Sequence, residues 1–396
     1  MSNIFHFDLD KKCNNIIKLI KENDCLIYGK QTDDTKNYFK EFFTYFQEAE
    51  QFLKIKDIFT NKPIIISNKF YKPNNNEYNY IIEPIRKYIE ENAKKSMKYS
   101  YNFFDKEINI YFTIDNKTSI KEIHKCLYQI IFWLYVVTKY SNNTNCSKIL
   151  NIFIYLTTLE KNLPKNGEEI DKININTGFT SSCTPKSPKS NIVIYRREEW
   201  YKVFIHETLH NLGLDFSGMD NRELNKQFYT IFKINFDPKL YEAYTDSWAK
   251  ILNVLVCSYL ISDKTYKNYI INTERLMNVE RTHCFLQSIK ILNYMNIKYE
   301  DLFKKNNYKE NTSMLSYYIL NSVILNNYQS FLLWCKNNNK NLLQFDKTKK
   351  SSIFFEVIEK NYKTKSYITR LKCKTVLFHK IKKEFGTTLQ KSLIKI

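Results

Sequence analysis

The stretch Trp200-Tyr201-Lys202-Val203-Phe204-Ile205-His206-Glu207-Thr208-Leu209-His210-Asn211-Leu212-Gly213-Leu214-Asp215 decides how the rest of the chain is read. Inside it stands His-Glu-x-x-His. Positions four apart on a helix lie one above the other, so His206 and His210 can present two imidazole nitrogens to one ion. Glu207 projects beside them, where a general base must stand to take a proton from metal-activated water. Val203, Phe204, Leu209 and Leu212 give the segment an apolar flank, and Gly213 is a natural C-terminal stop. The spacing predicts a helix that carries two ligands of one zinc ion per chain.

Two histidines do not complete a catalytic zinc site, so a third ligand must come from elsewhere. In the metzincin pattern a His or Asp three residues after the glycine closes the site. That position is Phe216 here, and Asp215 falls one residue early. Further along, Tyr241-Glu242-Ala243-Tyr244-Thr245-Asp246 offers two carboxylates four apart on one helical face, with Ala243, Trp248, Ile251, Leu252 and Leu255 free to pack against a core.

His-Glu-x-x-His followed by Glu-x-x-x-Asp resembles the gluzincin, or thermolysin-type, class of zinc metallopeptidases. The resemblance makes His206, His210 and Glu242 the metal ligands, Glu207 the base, and Asp246 the carboxylate that orients a ligand imidazole. Such enzymes also need a Tyr or His to donate a proton to the oxyanion, and His283, Tyr317 and Tyr318 are the candidates. Tyr241 stands where Asn is usual, and Thr245 where Ser is usual. The string from Glu198 through Ser217, with Glu-Ala-Tyr-Thr-Asp after it, is also similar to metallopeptidases encoded by giant DNA viruses. The likeness rests on motif segments and names no substrate.

Composition bounds the rest. At 396 residues and 43% hydrophobic content the chain can bury real cores. The net charge of +20 is carried by lysines scattered along the chain, and Lys, Asn, Ile and Tyr are the residues of A- and T-rich codons. Scattered charge argues against nucleic acid as the main partner, and the resemblance implies a protein or peptide substrate. Nine cysteines without a Cys-x-x-Cys pair predict reduced thiols in a cytoplasmic setting, which the viral resemblance would make the host cytoplasm or a virion. The first residues carry acid where a signal peptide would carry base, and no apolar run reaches the length of a membrane span.

Along the chain, residues 1–115 read as an N-terminal α/β region, with helices at 10–22, 35–55 and 83–97 and a strand at 63–67. Residues 116–345 read as the catalytic domain. It begins with strands at 109–113 and 149–157 around a helix at 119–140 capped by Ser119. Further strands are expected at 173–180 and 191–196. Asn176, Thr177, Gly178 and Phe179 are the candidate edge on which an extended peptide would lie, and 181–190 a rimming loop. Helices follow at 240–260, 264–295 and 313–336. Residues 346–396 read as a basic, peripheral helical element. The expected fold is α+β and zincin-like: a small mixed sheet above the motif helix and a mostly helical C-terminal half. The expected activity is hydrolysis of peptide bonds by Glu207-activated water. The alternative is a zinc-binding structural or interaction protein that keeps the metal helix without turnover.

Overall fold

The computed structural model describes residues 5–23, 28–67, 69–115, 118–141, 147–165, 167–181, 188–304 and 308–396. The chain is mixed α+β and divides into two compact units. One gathers Glu41–Glu160 with Asn176–Leu214; the other gathers His6–Lys40, Lys161–Ile175 and Asp215–Ile396.

The first unit holds one mixed sheet. Its strands are β1 (Ile64–Ser67), β2 (Lys95–Phe103), β3 (Lys106–Ile114), β4 (Ile149–Tyr155), β5 (Gly178–Thr180) and β6 (Lys189–Ile194), in the spatial order β1-β2-β3-β4-β6-β5. β3, β4 and β6 run parallel, and β1, β2 and β5 join antiparallel. Parallel neighbours need a crossover, and the helix Ile120–Thr138 supplies it between β3 and β4. Ser119 caps that helix as expected, accepting the Glu122 N–H at 3.2 Å.

Register sorts the side chains by face. Ile110, Ile152 and Ile192 align in one row and Phe112, Ile154 and Ile194 in the next, all fully buried. Complete burial of each such side chain is worth about 1.5–3 kcal/mol. The opposite face places Phe153, Tyr155, Val193 and Tyr195 against Tyr78, Ile81, Ile85 and Ile89 from the helices Asn75–Tyr80 and Glu83–Asn92.

Two expectations change here. The helix expected to reach residue 97 stops at Asn92, and Met97, Tyr99 and Tyr101 instead alternate inward along β2. β2 and β3 form a hairpin whose two-residue turn, Phe104–Asp105, has φ of 59° and 55°. Turns with two positive φ values normally advertise themselves with Asn or Gly, and Phe-Asp does not. The strand expected over 173–180 is a short helix, Lys172–Ile175, followed by β5. Asp171 and Asn174 exchange local hydrogen bonds that close the chain into a turn and override the Ile-Asn alternation.

The second unit is built around the helices Leu240–Leu260 and Tyr266–Tyr294, which pack on each other. Each carries a buried polar stripe, Glu280, His283, Gln287 and Lys290 forming one of them. The helix Lys365–Phe385 ends at Gly386, with φ 64°, and the chain then runs extended. This last part is not the peripheral helix expected: Leu389, Leu393 and Ile394 are buried in the core. The two polar stripes explain it, because they bind its backbone. Glu280 accepts the Leu393 N–H at 3.0 Å, His283 donates to the Gln390 carbonyl at 2.9 Å, and Lys290 donates to the Thr388 carbonyl at 2.7 Å. Asn253 donates to the Ile394 carbonyl at 2.9 Å.

No helix among the described residues is long and apolar enough to cross a membrane. Cys13, Cys126, Cys257, Cys284 and Cys335 are buried free thiols, whereas Cys373 is disulfide-bonded, against the expectation of reduced thiols throughout. Spacing along a chain does not tell which distant sulfurs a fold brings together.

Candidate metal centre

The helix Trp200–Asn211 places the motif, and its C-terminus is fixed by the glycine that the sequence pointed to. Gly213 sits at φ 64°, its N–H bonds the His210 carbonyl at 2.9 Å, and the Leu214 N–H bonds the Leu209 carbonyl at 2.9 Å. This is the paired closure of a Schellman end, which needs a left-handed residue at that position.

Residues Tyr201–Asn211 are all buried, so the helix is an internal rod with no solvated face. Its polar groups must then find partners inside. Trp133 Nε1 donates to Thr208 Oγ1 at 2.6 Å. Asn211 Oδ1 accepts from Ser147 at 2.7 Å and from Ser190 at 3.3 Å, and its Nδ2 donates to Thr180 Oγ1 at 3.0 Å. These bonds fix both the rotation and the height of the helix against the sheet.

His206 and His210 stack one turn apart with ring centroids 4.7 Å apart and planes at 77°. Their Nε2 atoms approach to 3.0 Å. Two nitrogens on one tetrahedral zinc, at ~2.0–2.1 Å each, stand about 3.3 Å from one another, so the pair is spaced as ligands of a single ion. The ligand atoms of His206, His210 and Glu242 all lie within 4.8 Å of one another, a mostly buried group that can hold a metal ion. Two imidazoles and one carboxylate form a donor set that leaves a fourth position open on a tetrahedral ion. Glu207, between the histidines in sequence, is buried too. Burial first, and the Glu207 charge after the opposing Arg196, hold the Tyr195 hydroxyl above its ordinary pKa.

The other carboxylates are otherwise engaged. Asp215 is buried and accepts from Ser217 at 3.0 Å and from Thr245 at 3.3 Å. Asp220 grips the Arg222 guanidinium, which with the Arg222 backbone N–H holds its pKa at about 2. Phe216 fills an aromatic cluster with Tyr244, Phe345 and Phe354.

Around Glu242, Tyr317 donates its hydroxyl to Oε2 at 2.9 Å. Tyr317 lies in a π-helical turn, Leu315–Leu320, a local widening that recurs at functional sites. Lys250 Nζ donates to the Tyr317 carbonyl at 3.2 Å and to Asn321 Oδ1 at 3.1 Å, and pairs with Asp246 at 3.0 Å, both ions fully buried. Burial opposes the charge on Lys250, yet the Asp246 carboxylate, helped by Cys284 and Glu280, raises its pKa. Lys250 is thus one partner of Asp246, the residue expected to orient an imidazole. Of the three candidate proton donors, Tyr317 adjoins Glu242. His283 holds the Gln390 carbonyl, and Tyr318 donates to the Leu389 carbonyl at 2.6 Å.

β5 stands at the end of the sheet order, pairs with β6, and packs on the motif helix. Gly178 and Phe179 belong to it. Thr177 precedes it, its carbonyl taken by the Tyr195 N–H at 2.9 Å, and the Asn176 carbonyl is held by Arg196 Nε at 3.0 Å. The loop expected to rim the site lies largely outside the described residues.

Sequence reasoning missed Lys250, Trp133, Asn211 and Lys391. Lys250 was findable, standing four residues after Asp246 on the same helical face. Lys391 left no trace, because its contact depends on the extended path of the final segment. No protein-family model matches the chain, and no curated protein and no solved structure matches it either.

Proposed function

We propose that the chain is a zinc-dependent metallopeptidase of the gluzincin kind on a zincin-like fold. The observation that carries the reading is the approach of His206 Nε2 to His210 Nε2 at 3.0 Å with the Glu242 carboxylate in the same group. Zinc held there would supply Lewis acidity, polarising the scissile carbonyl and bringing water to a pKa of ~7. Glu207, one residue from His206 and buried, would serve as the base towards water at this site and as the proton donor to the leaving amine. The Tyr317 hydroxyl, already donated to Glu242, is the donor at hand for the oxyanion. β5 offers an edge on which an extended peptide lies by main-chain pairing.

The test is an unbiased peptide-library digest by wild type and Glu207→Gln. Removing the base while keeping shape should leave zinc and fold intact and slow cleavage by about three orders of magnitude or more. Cleavage by the variant at the wild-type rate would refute the mechanism, and no cleavage by zinc-loaded wild type would favour a non-catalytic metal protein.

A further inference from the structure

The extended segment Thr387–Lys395 is bound almost atom by atom within the second unit. Leu163 N–H bonds the Thr387 carbonyl at 2.9 Å, and Leu389 N–H bonds the Lys161 carbonyl at 2.9 Å. Gln287 Nε2 donates to the carbonyls of Gln390 at 2.8 Å and Thr388 at 3.2 Å. With Glu280, His283, Lys290, Asn253 and Tyr318 added, buried side chains hold the strip on both sides. Surface packing would not need this: each buried polar group removed from water is costly unless paired, and the fold has built a paired channel for one segment.

From that strip one buried charged side chain reaches Tyr317. Lys391 is buried, and its Nζ lies 3.2 Å from the centroid of the Tyr317 ring. The ring quadrupole attracts a cation over an aromatic face, and more strongly in a dry setting. Tyr317 in turn gives its hydroxyl to Glu242 Oε2. Its backbone is pinned from the other side by Lys250, which is itself paired with Asp246, one turn beyond Glu242. Two buried lysines therefore clamp one tyrosine, and the tyrosine holds the carboxylate that belongs to the metal-holding group.

We propose that Lys391 is a positioning residue of the metal centre: seated on Tyr317, it fixes the Glu242 carboxylate, so that docking of Thr387–Lys395 and holding of metal are coupled. The inference rests on the reading of His206, His210 and Glu242 as a metal site. Coupling between two binding events is reciprocal, so metal must tighten the segment as much as the docked segment favours metal. Tyr317 is the link, because it touches both Lys391 and Glu242.

The experiment follows hydrogen exchange of the peptide spanning Thr387–Lys395 in the full chain, without and with zinc, alongside zinc affinity by chelator competition. In wild type, zinc should slow exchange of this peptide about tenfold beyond any slowing of the peptide spanning Tyr328–Asn338, which serves as the internal control for general stabilisation. Lys391→Met and Tyr317→Phe should each erase that excess, whereas Lys391→Arg, which keeps the cation, should restore it. Zinc affinity should fall about tenfold in the first two variants and return in the third. If wild type binds zinc with no excess protection of the segment, or if Tyr317→Phe retains it in full, the coupling is refuted while the metal site stands. If wild type binds no zinc, the metal site itself is refuted and the coupling with it.

Discussion

Lys290 offers a test of the second unit that needs no substrate. Its ammonium is buried at 3% exposure, donates to the Thr388 carbonyl at 2.7 Å, and lies 4.0 Å from the Phe385 ring centroid. Burial first, and the nearby charge of Lys12 second, lower its pKa from 10.5 to about 7. In the unfolded chain the same amine stays protonated up to its ordinary value. Between about pH 7 and 10.5 unfolding therefore takes up a proton, and stability rises with pH across that window. Below about pH 7 both states are protonated and this slope vanishes. At ~1.4 kcal/mol per pH unit the whole window amounts to about 5 kcal/mol at most, of which about 2–3 kcal/mol falls between pH 7 and 9. Glu310 acts in the opposite sense: burial raises its pKa from 4.5 to about 8, so it contributes stability that is lost as pH rises through about 8. Comparing Lys290→Met with wild type cancels the Glu310 contribution, since both proteins keep it. Losing the hydrogen bond to Thr388 costs a further ~1 kcal/mol that does not vary with pH. Urea unfolding of both proteins in parallel from pH 6 to 9, followed by circular dichroism, reads the difference directly. Wild type should gain on the variant by about 2–3 kcal/mol between pH 7 and 9 and show a constant difference below pH 7. A difference that stays flat across the whole range would refute the buried-amine account.

Gly178→Ala should lower stability by about 1–3 kcal/mol, because an added Cβ would stand 2.7 Å from the Val193 carbonyl oxygen and 2.7 Å from Ile194 Cδ1, prying β5 from β6; a melting temperature equal to wild type would contradict the close approach. Asn211→Ala should cost about 2–3 kcal/mol, because it strips the acceptor shared by Ser147 and Ser190 and the donor to Thr180 inside a buried network. A chemical-denaturation midpoint within error of wild type would show that the network does not anchor the motif helix.

Much of this architecture was legible because local chemistry and tertiary context agree. The His-Glu-x-x-His helix, its glycine end, the Ser119 cap and the Leu240–Leu260 helix with Glu242 in its first turn all stand where their residues point. Legibility failed where context overrides local signals. The hairpin turn Phe104–Asp105 carries neither the Asn nor the Gly that usually marks such a turn, so β2 hid behind a helical reading of 83–97. The buried stripe of Glu280, His283, Gln287 and Lys290 resembles a solvated helix face, and His283 in particular resembled a proton donor. Only the path of Thr387–Lys395 reveals what the stripe binds. That path also supplies Lys391, which sits 74 positions beyond Tyr317 in sequence yet over its ring in space.

The most direct test of the central claim is the zinc content and zinc affinity of the purified protein and four single variants. The account predicts about one zinc per chain, abolished in His206→Ala and His210→Ala, sharply weakened in Glu242→Ala, and nearly unchanged in Asp215→Ala, whose carboxylate is occupied by Ser217 and Thr245. Full zinc occupancy in either histidine variant, or a larger loss of affinity in Asp215→Ala than in Glu242→Ala, would contradict it.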